Sequence, residues 1–303
     1  MLAEPQAFVQ PLTSNGTPLD LSPKRLGKLQ ASSADAPIPE LREQFKAQGY
    51  IWLKHFFDRK DILEFRERFF SAFKDIGLLA EGSKPVDGIY SGKDINPSLA
   101  NRVLMEFVRT AAYEAFCLHP KLWQFYDAFL EGPSYLHKRK IVRYTTPGNS
   151  RSTGAHYDLI YLRSGTEKVC SSWIPLGDIP IEMGGLVYLE GSDAVGRKME
   201  GEFSELNKDL PRSEQISAYN KNMGQGWLTK DLRTLAEKAD GRWLIADYEA
   251  GDMVIHSSYM IHAATDNMDE HGRMRLSTDI RYQNVRDEID ARWQNHWSLE
   301  DML

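Results

Sequence analysis

Apolar positions fall into two regimes along the chain. In the first half they recur at helical spacing: Ile62, Phe65, Phe69, Phe73 and Ile76 form one stripe of a helix that Asp58 caps and Gly77 ends. Residues 40–47 read as a short helix stopped by Gly49, with the apolar strand Tyr50-Ile51-Trp52-Leu53 directly after it. Two more helical stretches, 98–116 and 120–130, complete this half. From about Tyr135 the pattern changes to short runs separated by Pro and Gly. They cover residues 140–144, 156–162, 169–174, 185–189, 253–256 and 275–282. Helices succeeded by many short strands predict an α+β protein, with a β sandwich or jelly roll packed against the earlier helices.

Residues 1–38 are rich in Pro, Ser, Thr and Gly without periodicity and read as a loose N-terminal leader. The remainder, 39–303, reads as a single domain interrupted by a polar insertion at about 194–242 with its own helical segment, 228–239. With 303 residues, 42% of them hydrophobic, the chain is long enough for a sizeable core. Its 37 basic and 43 acidic side chains give a net charge of −6, which argues against nucleic acid as a partner. Cys117 and Cys170 are too few for a disulfide framework or a Cys-rich zinc site. No secretory signal and no membrane-spanning apolar run is present, so the expected location is the cytoplasm.

Three motifs carry candidate chemistry. In His156-Tyr157-Asp158, read as a strand, the imidazole and carboxylate share one face and could converge on one ion. Short H-x-D matches also arise by chance, so the triplet gains weight only from a third ligand elsewhere in the chain. His256 and His262 compete for that role; His256 also reads as a satisfied core histidine. Two histidines and one carboxylate leave positions open on the ion, as a non-haem Fe(II) oxygenase requires. In Arg275-Leu276-Ser277-Thr278-Asp279-Ile280-Arg281-Tyr282, alternation puts Arg275, Ser277, Asp279 and Arg281 on one face. That face is either solvated or a carboxylate anchor built from Arg275 and Ser277.

The order His-x-Asp, distant His, Arg-x-Ser resembles the phytanoyl-CoA dioxygenase-like group of Fe(II)- and 2-oxoglutarate-dependent oxygenases. The resemblance extends over about residues 40–285, including Val169-Cys170-Ser171-Ser172-Trp173 and Met183-Gly184-Gly185-Leu186-Val187-Tyr188. It implies a double-stranded β-helix core supported by N-terminal helices. It implies Fe(II) held by His156, Asp158 and His262, with 2-oxoglutarate and O2 as co-substrates. Arg275, with Ser277, would bind the far carboxylate of 2-oxoglutarate, Arg273 being the rival. Trp173 would line the co-substrate pocket, with Tyr157 in the middle of the triad motif counted beside it and a contribution from Ile141 or Arg143. A histidine usual in the family after Gly191-Ser192 is replaced by Asp193. The implied activity is oxidation of a small organic substrate, such as a secondary metabolite, with release of succinate and CO2.

Substrate choice would rest on the insertion, the 80–97 loop and the C-terminal tail. Tyr219, Asn220, Asn222, Gln225, Trp227 and Trp243 either line a pocket mouth or pack the insertion down. The segment from Trp293 to Trp297 could dock on the body or on a second subunit, as in a homodimer. Rival readings are a cupin-type hydrolase or isomerase using the same triad, an acyl-CoA hydroxylase, and a binding protein with a degraded site. Only the oxygenase readings need the Arg275 anchor.

Overall fold

A computed structural model describes residues 11–33, 35–222 and 226–296. The chain opens with a small hairpin, β1 (Thr13–Ser14) and β2 (Thr17–Pro18), then β3 (Leu26–Lys28). Helix α1 (Ile38–Gln48), strand β4 (Tyr50–Leu53) and helices α2 (Arg59–Ala72), α3 (Pro97–Phe107), α4 (Ala111–Cys117) and α5 (Pro120–Phe129) come next. After them come β5 (Ser134–Leu136), β6 (Ile141–Thr145), α6 (Leu159–Leu162), β7 (Cys170–Pro175) and β8 (Leu186–Leu189). Helices α7 (Ser192–Asn207), α8 (Arg212–Gln215) and α9 (Leu232–Lys238) lie in the insertion. Strands β9 (Trp243–Ile245), β10 (Met253–Ser257), β11 (His262–Ala264) and β12 (Arg275–Asn284) close the domain.

These strands form two facing sheets. The larger runs β4-β10-β7-β12-β5, with β6 also paired to β12, and all its pairings are antiparallel. The smaller runs β11-β8-β9-β3. This is the jelly-roll arrangement expected, a double-stranded β-helix with helices bracing one side. Alternation explains how the larger sheet is buried on both faces. Ile51, Leu53, Ile174, Met253, Ile255, Leu276 and Ile280 join the aromatic stripe of α2 in one core. Their neighbours Tyr50, Trp52, Trp173 and Val254 turn the other way, against Leu186, Tyr188 and Leu244 of the smaller sheet. Phe69, at the centre of the α2 stripe, is fully buried against Phe70, Phe73 and Phe107. Truncating it to Ala would cost about 3–5 kcal/mol.

Several local expectations change. Asp58 precedes α2 but its side chain makes no capping hydrogen bond; α2 stops at Ala72, and a short 3-10 turn carries the chain to Gly77, at φ 75°. The stretch 98–116 is two helices, because the Thr110 side chain caps a new start by accepting from the Tyr113 N–H. The stretch 156–162 is not a strand. His156 makes a single β-bridge, and the chain then turns into α6 at Leu159. Buried Leu159, Ile160 and Leu162 suit a helical turn as well as a strand, so their pattern could not decide.

The leader is not loose over its described part. Leu12, Leu19 and Leu26 are buried in the core beneath the smaller sheet, and β3 runs parallel to β9. Asp266 fastens the hairpin by accepting from the Thr13 hydroxyl at 2.7 Å and the Gly16 N–H at 2.9 Å. Burial of a few leucines spaced seven or so apart is invisible to a periodicity argument.

Candidate metal and co-substrate site

The site lies between the sheets and is positioned by strand register. His156 and His262 face each other in a bridge closed by both backbone bonds, His156 N–H to His262 O at 3.0 Å and His262 N–H to His156 O at 2.9 Å. Their rings are 4.3 Å apart. Asp158 reaches the same point from the position that leads into α6, so proximity arises from a turn rather than from strand alternation. One donor atom from each of His156, Asp158 and His262 lies within 4.8 Å of the others, and all three residues are buried.

The donor chemistry suits a divalent cation. Nδ1–H of His156 donates to the Gly154 carbonyl and Nδ1–H of His262 to the Met260 carbonyl, each at 2.9 Å. That fixes the tautomer and leaves each Nε2 lone pair for a ligand. Burial lowers both imidazole pKa values below their ordinary range; for His262 the neighbouring His156 and His256 add to the effect. Both rings are therefore neutral at neutral pH. Burial works against ionisation of Asp158, but the Arg281 guanidinium and the His256 hydrogen bond hold its carboxyl well below the usual carboxylate range.

Asp158 is oriented by one row of the larger sheet. Register pairs His256 of β10 with Ser171 of β7, and Ser171 with Arg281 of β12. All three donate to the carboxylate: Ser171 through its hydroxyl, His256 Nε2–H at 3.2 Å, and Arg281 Nη2 at 2.9 Å. Because a carboxylate only accepts, His256 carries its proton on Nε2 and accepts at Nδ1 from the Tyr188 hydroxyl at 2.8 Å. His256 is thus an orienting neighbour of Asp158, the satisfied core histidine of the two readings open for it. Arg281 and Ser171 were not singled out as site residues by the sequence; the alternation that put Arg281 on the face of Arg275 was the available signal.

Farther along the same face of β12 lie Asp279, Ser277 and Arg275. Arg275 is buried, donating to the Gly184 carbonyl at 2.8 Å and to the Ser277 hydroxyl at 3.3 Å. Its Nε has no partner, and among the described residues no carboxylate pairs with the guanidinium. Burial lowers its pKa to about 10, the direction expected of a cation held without a counter-anion. The Gly184 turn that supplies the carbonyl needs glycine: φ is 78°, and a Cβ would lie 2.5 Å from the Thr265 carbonyl oxygen. Arg273, the rival, is instead bound to Asp269 at 2.5 Å on a half-exposed edge. Trp173 lines the inner cavity with Arg275, Asp279, Arg281 and the three donor residues, and so does Arg143.

Tyr157 does not belong to this cavity. Between the His156 bridge and the turn into α6, it turns to the opposite side, where its hydroxyl donates to Glu200 at 2.7 Å. A cavity of about 530 Å³ lies on that side, lined by Arg163, Glu200, Asn207 and Tyr259, and contains none of the three donor residues. Asp193 accepts from the Ser257 hydroxyl and from Arg197, at the start of α7 and away from the inner cavity.

An outer cavity of about 480 Å³ adjoins the inner one and shares Arg143, Thr153, His156 and Arg281 with it. The insertion reaches it through Tyr219, Trp227 and Lys230. Trp243 is core, donating to the Leu232 carbonyl at 2.9 Å, while Asn220 and Asn222 bond within the insertion. Gln225 lies outside the described residues. Trp293 of the tail is buried on its own domain, donating to the Tyr161 carbonyl at 3.1 Å; it needs no second subunit, and Trp297 lies outside the described residues.

The family model for phytanoyl-CoA dioxygenase (PhyH) matches residues 45–275. Among curated protein sequences none matches significantly. Among solved structures, the chain is similar to the non-haem α-ketoglutarate-dependent carbocyclase SnoK from nogalamycin biosynthesis, with 17% identity over 85% of this chain and 88% of SnoK and a TM-score of 0.54. The epimerase SnoN, solved with Fe3+, α-ketoglutarate and nogalamycin RO, gives 16% identity, 88% and 93% coverage and a TM-score of 0.53. EctD from S. alaskensis with bound Fe gives 15%, 89% and 84%, and 0.53. At such identities the likeness is one of fold.

Proposed function

The chain belongs to the phytanoyl-CoA dioxygenase (PhyH) family, and on that premise we propose that it is an Fe(II)- and 2-oxoglutarate-dependent dioxygenase that oxidises a small organic molecule. The observation that carries the reading is Arg275, a buried guanidinium with a vacant Nε and no carboxylate partner among the described residues, on the strand face that also serves Asp158. A hydrolase or isomerase built on the same triad has no use for that cation.

His156 and His262 present Nε2, and Asp158 its carboxylate, to one Fe(II). Arg275 and Ser277 take the distal carboxylate of 2-oxoglutarate, with paired charge-assisted hydrogen bonds setting its direction. Trp173 lines the same cavity as the anchor and the triad and would give it an apolar wall. Ser171, His256 and Arg281 hold Asp158 ionised and in one orientation. The bound iron, with 2-oxoglutarate and O2, supplies an oxidant strong enough to break a substrate C–H bond, with succinate and CO2 as the co-products. Thr153 and His156, shared by both cavities, support the outer cavity as the substrate side of the site. No described helix is long and apolar enough to cross a membrane, and the reading requires only small-molecule partners.

The test is turnover of 2-oxoglutarate by the purified chain. Succinate that forms only with Fe(II) and O2 together, and falls to background in Asp158→Ala, supports the reading. Metal-dependent hydrolysis or isomerisation of a substrate without 2-oxoglutarate consumption would replace it.

A further inference from the structure

The outer cavity has a character that the net charge of −6 would not suggest. Among the described residues, no Asp or Glu lines it, while Arg143, Arg151, Lys230 and Arg281 all do. Two of those charges are already matched: Arg281 is bound to Asp158, and Arg143 Nε stands 3.8 Å from the Asp279 carboxylate. Arg151 and Lys230 have no carboxylate partner among the described residues. The four cations come from three separated segments, so no basic cluster is visible along the chain.

The rest of the wall is aromatic and held in place. Tyr161 is fixed from two directions, its hydroxyl donating to the Gly226 carbonyl and its own carbonyl accepting from Trp293 Nε1. Paired backbone bonds join Ala155 to the insertion, the Ala155 N–H to Thr229 O at 2.8 Å and the Leu228 N–H to Ala155 O at 2.7 Å. Gly154 permits this approach, because a Cβ there would lie 2.9 Å from the Thr229 carbonyl oxygen. Trp227 and Lys230 flank that junction, with the ammonium 4.6 Å from the indole centroid. A volume of about 480 Å³ lies within the usual range for a small-molecule site. Flat apolar walls favour a ring, and unmatched cations at the rim favour an anion.

We propose that the substrate oxidised here is an aromatic organic acid, its ring system lying among Tyr161, Trp227 and Trp293 and its acid group at Arg151 and Lys230. The inference rests on the dioxygenase reading for the chemistry but not for the binding. It names a substrate class and adds two specificity-determining residues that lie outside the triad and the anchor.

The probes are 2-naphthoate, 2-naphthalenesulfonate and the neutral 2-naphthamide, with decanoyl-CoA as a long-chain control. Binding is measured by equilibrium dialysis to the full chain, anaerobic and saturated with Fe(II) and 2-oxoglutarate, so that Arg275 is occupied. Naphthoate should bind about tenfold more tightly than the amide, through charge-assisted hydrogen bonds the amide lacks. Arg151→Gln and Lys230→Gln should each weaken naphthoate by about two- to fivefold, the scale of exposed ion pairs, and leave the amide unchanged. Trp227→Ala should weaken acid and amide alike. Tighter sulfonate than carboxylate would assign the acid group as a sulfonic acid within the same class. Equal binding of acid and amide, indifference to both charge changes, or decanoyl-CoA binding above naphthoate would each overturn the proposal. The visible band of the Fe(II)–2-oxoglutarate complex, read in the same samples, separates the two readings. With the band present and no acid preference, only the substrate class fails. With the band absent, dioxygenase function fails, and dialysis with the metal-free chain still decides the cavity's preference.

Discussion

The cavity beside the triad and the cavity outside it share four residues yet are built in opposite ways. Around the triad, polar groups are buried and hydrogen-bonded into fixed directions, and adjacent strands in register deliver them: His256, Ser171 and Arg281 from one row, Trp173 and Asp279 from the next. The outer cavity draws on the hairpin, the loop after β6, α6, the insertion and the tail, and its cations other than the buried Arg281 are exposed. A sheet row places side chains with little freedom, whereas loops can exchange residues without disturbing the core. On the proposed reading, the inner cavity holds the metal and co-substrate chemistry and the outer one governs substrate choice.

Changes inside should therefore cost far more than changes outside. The largest effect belongs to the triad: His156→Ala or His262→Ala should lower Fe(II) affinity by at least about 100-fold, beyond the loss typical of an orienting partner. Metal content after anaerobic desalting checks this, and retention of stoichiometric iron by both variants would move the metal elsewhere. Next, Arg275→Met should weaken 2-oxoglutarate by about 2–5 kcal/mol while leaving Fe(II) binding intact. It should not destabilise the empty protein, since it removes a buried cation that lacks a counter-anion, and a denaturant melt tests that half. Arg281→Met should cost about 10–100-fold in Fe(II) affinity by releasing Asp158. Equal effects of Arg281→Met and Arg275→Met on 2-oxoglutarate would erase the division between orienting and anchoring residues.

A pH effect arises from the same dry interior. His137, buried behind Arg281 and bound to Gln283 at 2.8 Å, has its pKa lowered by burial from 6.5 to about 4. The unfolded chain takes this proton before the folded one does. The stability contribution is thus complete above about pH 6.5 and lost as pH falls toward 4, up to about 3 kcal/mol. Urea melts of the metal-free protein at pH 7 and pH 5 should show the loss, with a shallower dependence in His137→Gln. At the small end, Tyr219→Ala on the outer wall should change 2-oxoglutarate affinity by no more than about twofold, the scatter of uncoupled sites.

Legibility in the sequence divides along the same boundary. Strands β4, β7, β10 and β12 were legible because buried alternation and β-branched or aromatic residues mark them, and β12 alternation placed Arg275 and Arg281 on one face. That His156, Asp158 and His262 lie together agrees with the motif order, but a bridge and a helical turn, not strand alternation, bring His156 and Asp158 to one point. Tyr157, between the His156 bridge and the turn into α6, faces away from the cavity toward Glu200. The packed leader and the cationic wall were not legible. Leu12, Leu19 and Leu26 are too sparse to mark a helix face or a strand, and Arg143, Arg151, Lys230 and Arg281 become neighbours only when three segments meet. Such long-range contacts leave no local signal for pattern reading.

Everything proposed for the inner cavity depends on the triad and Arg275 forming one site for Fe(II) and 2-oxoglutarate. Anaerobic titration of the metal-free chain with Fe(II) and then 2-oxoglutarate, monitored by visible absorption, probes that unity without needing the substrate. The wild type should develop a weak charge-transfer band that saturates with 2-oxoglutarate. His156→Ala should give no band, and Arg275→Met should give one only at far higher 2-oxoglutarate. A wild-type chain that gives no band, or 2-oxoglutarate and Fe(II) binding that both variants leave unchanged, would contradict the single-site reading.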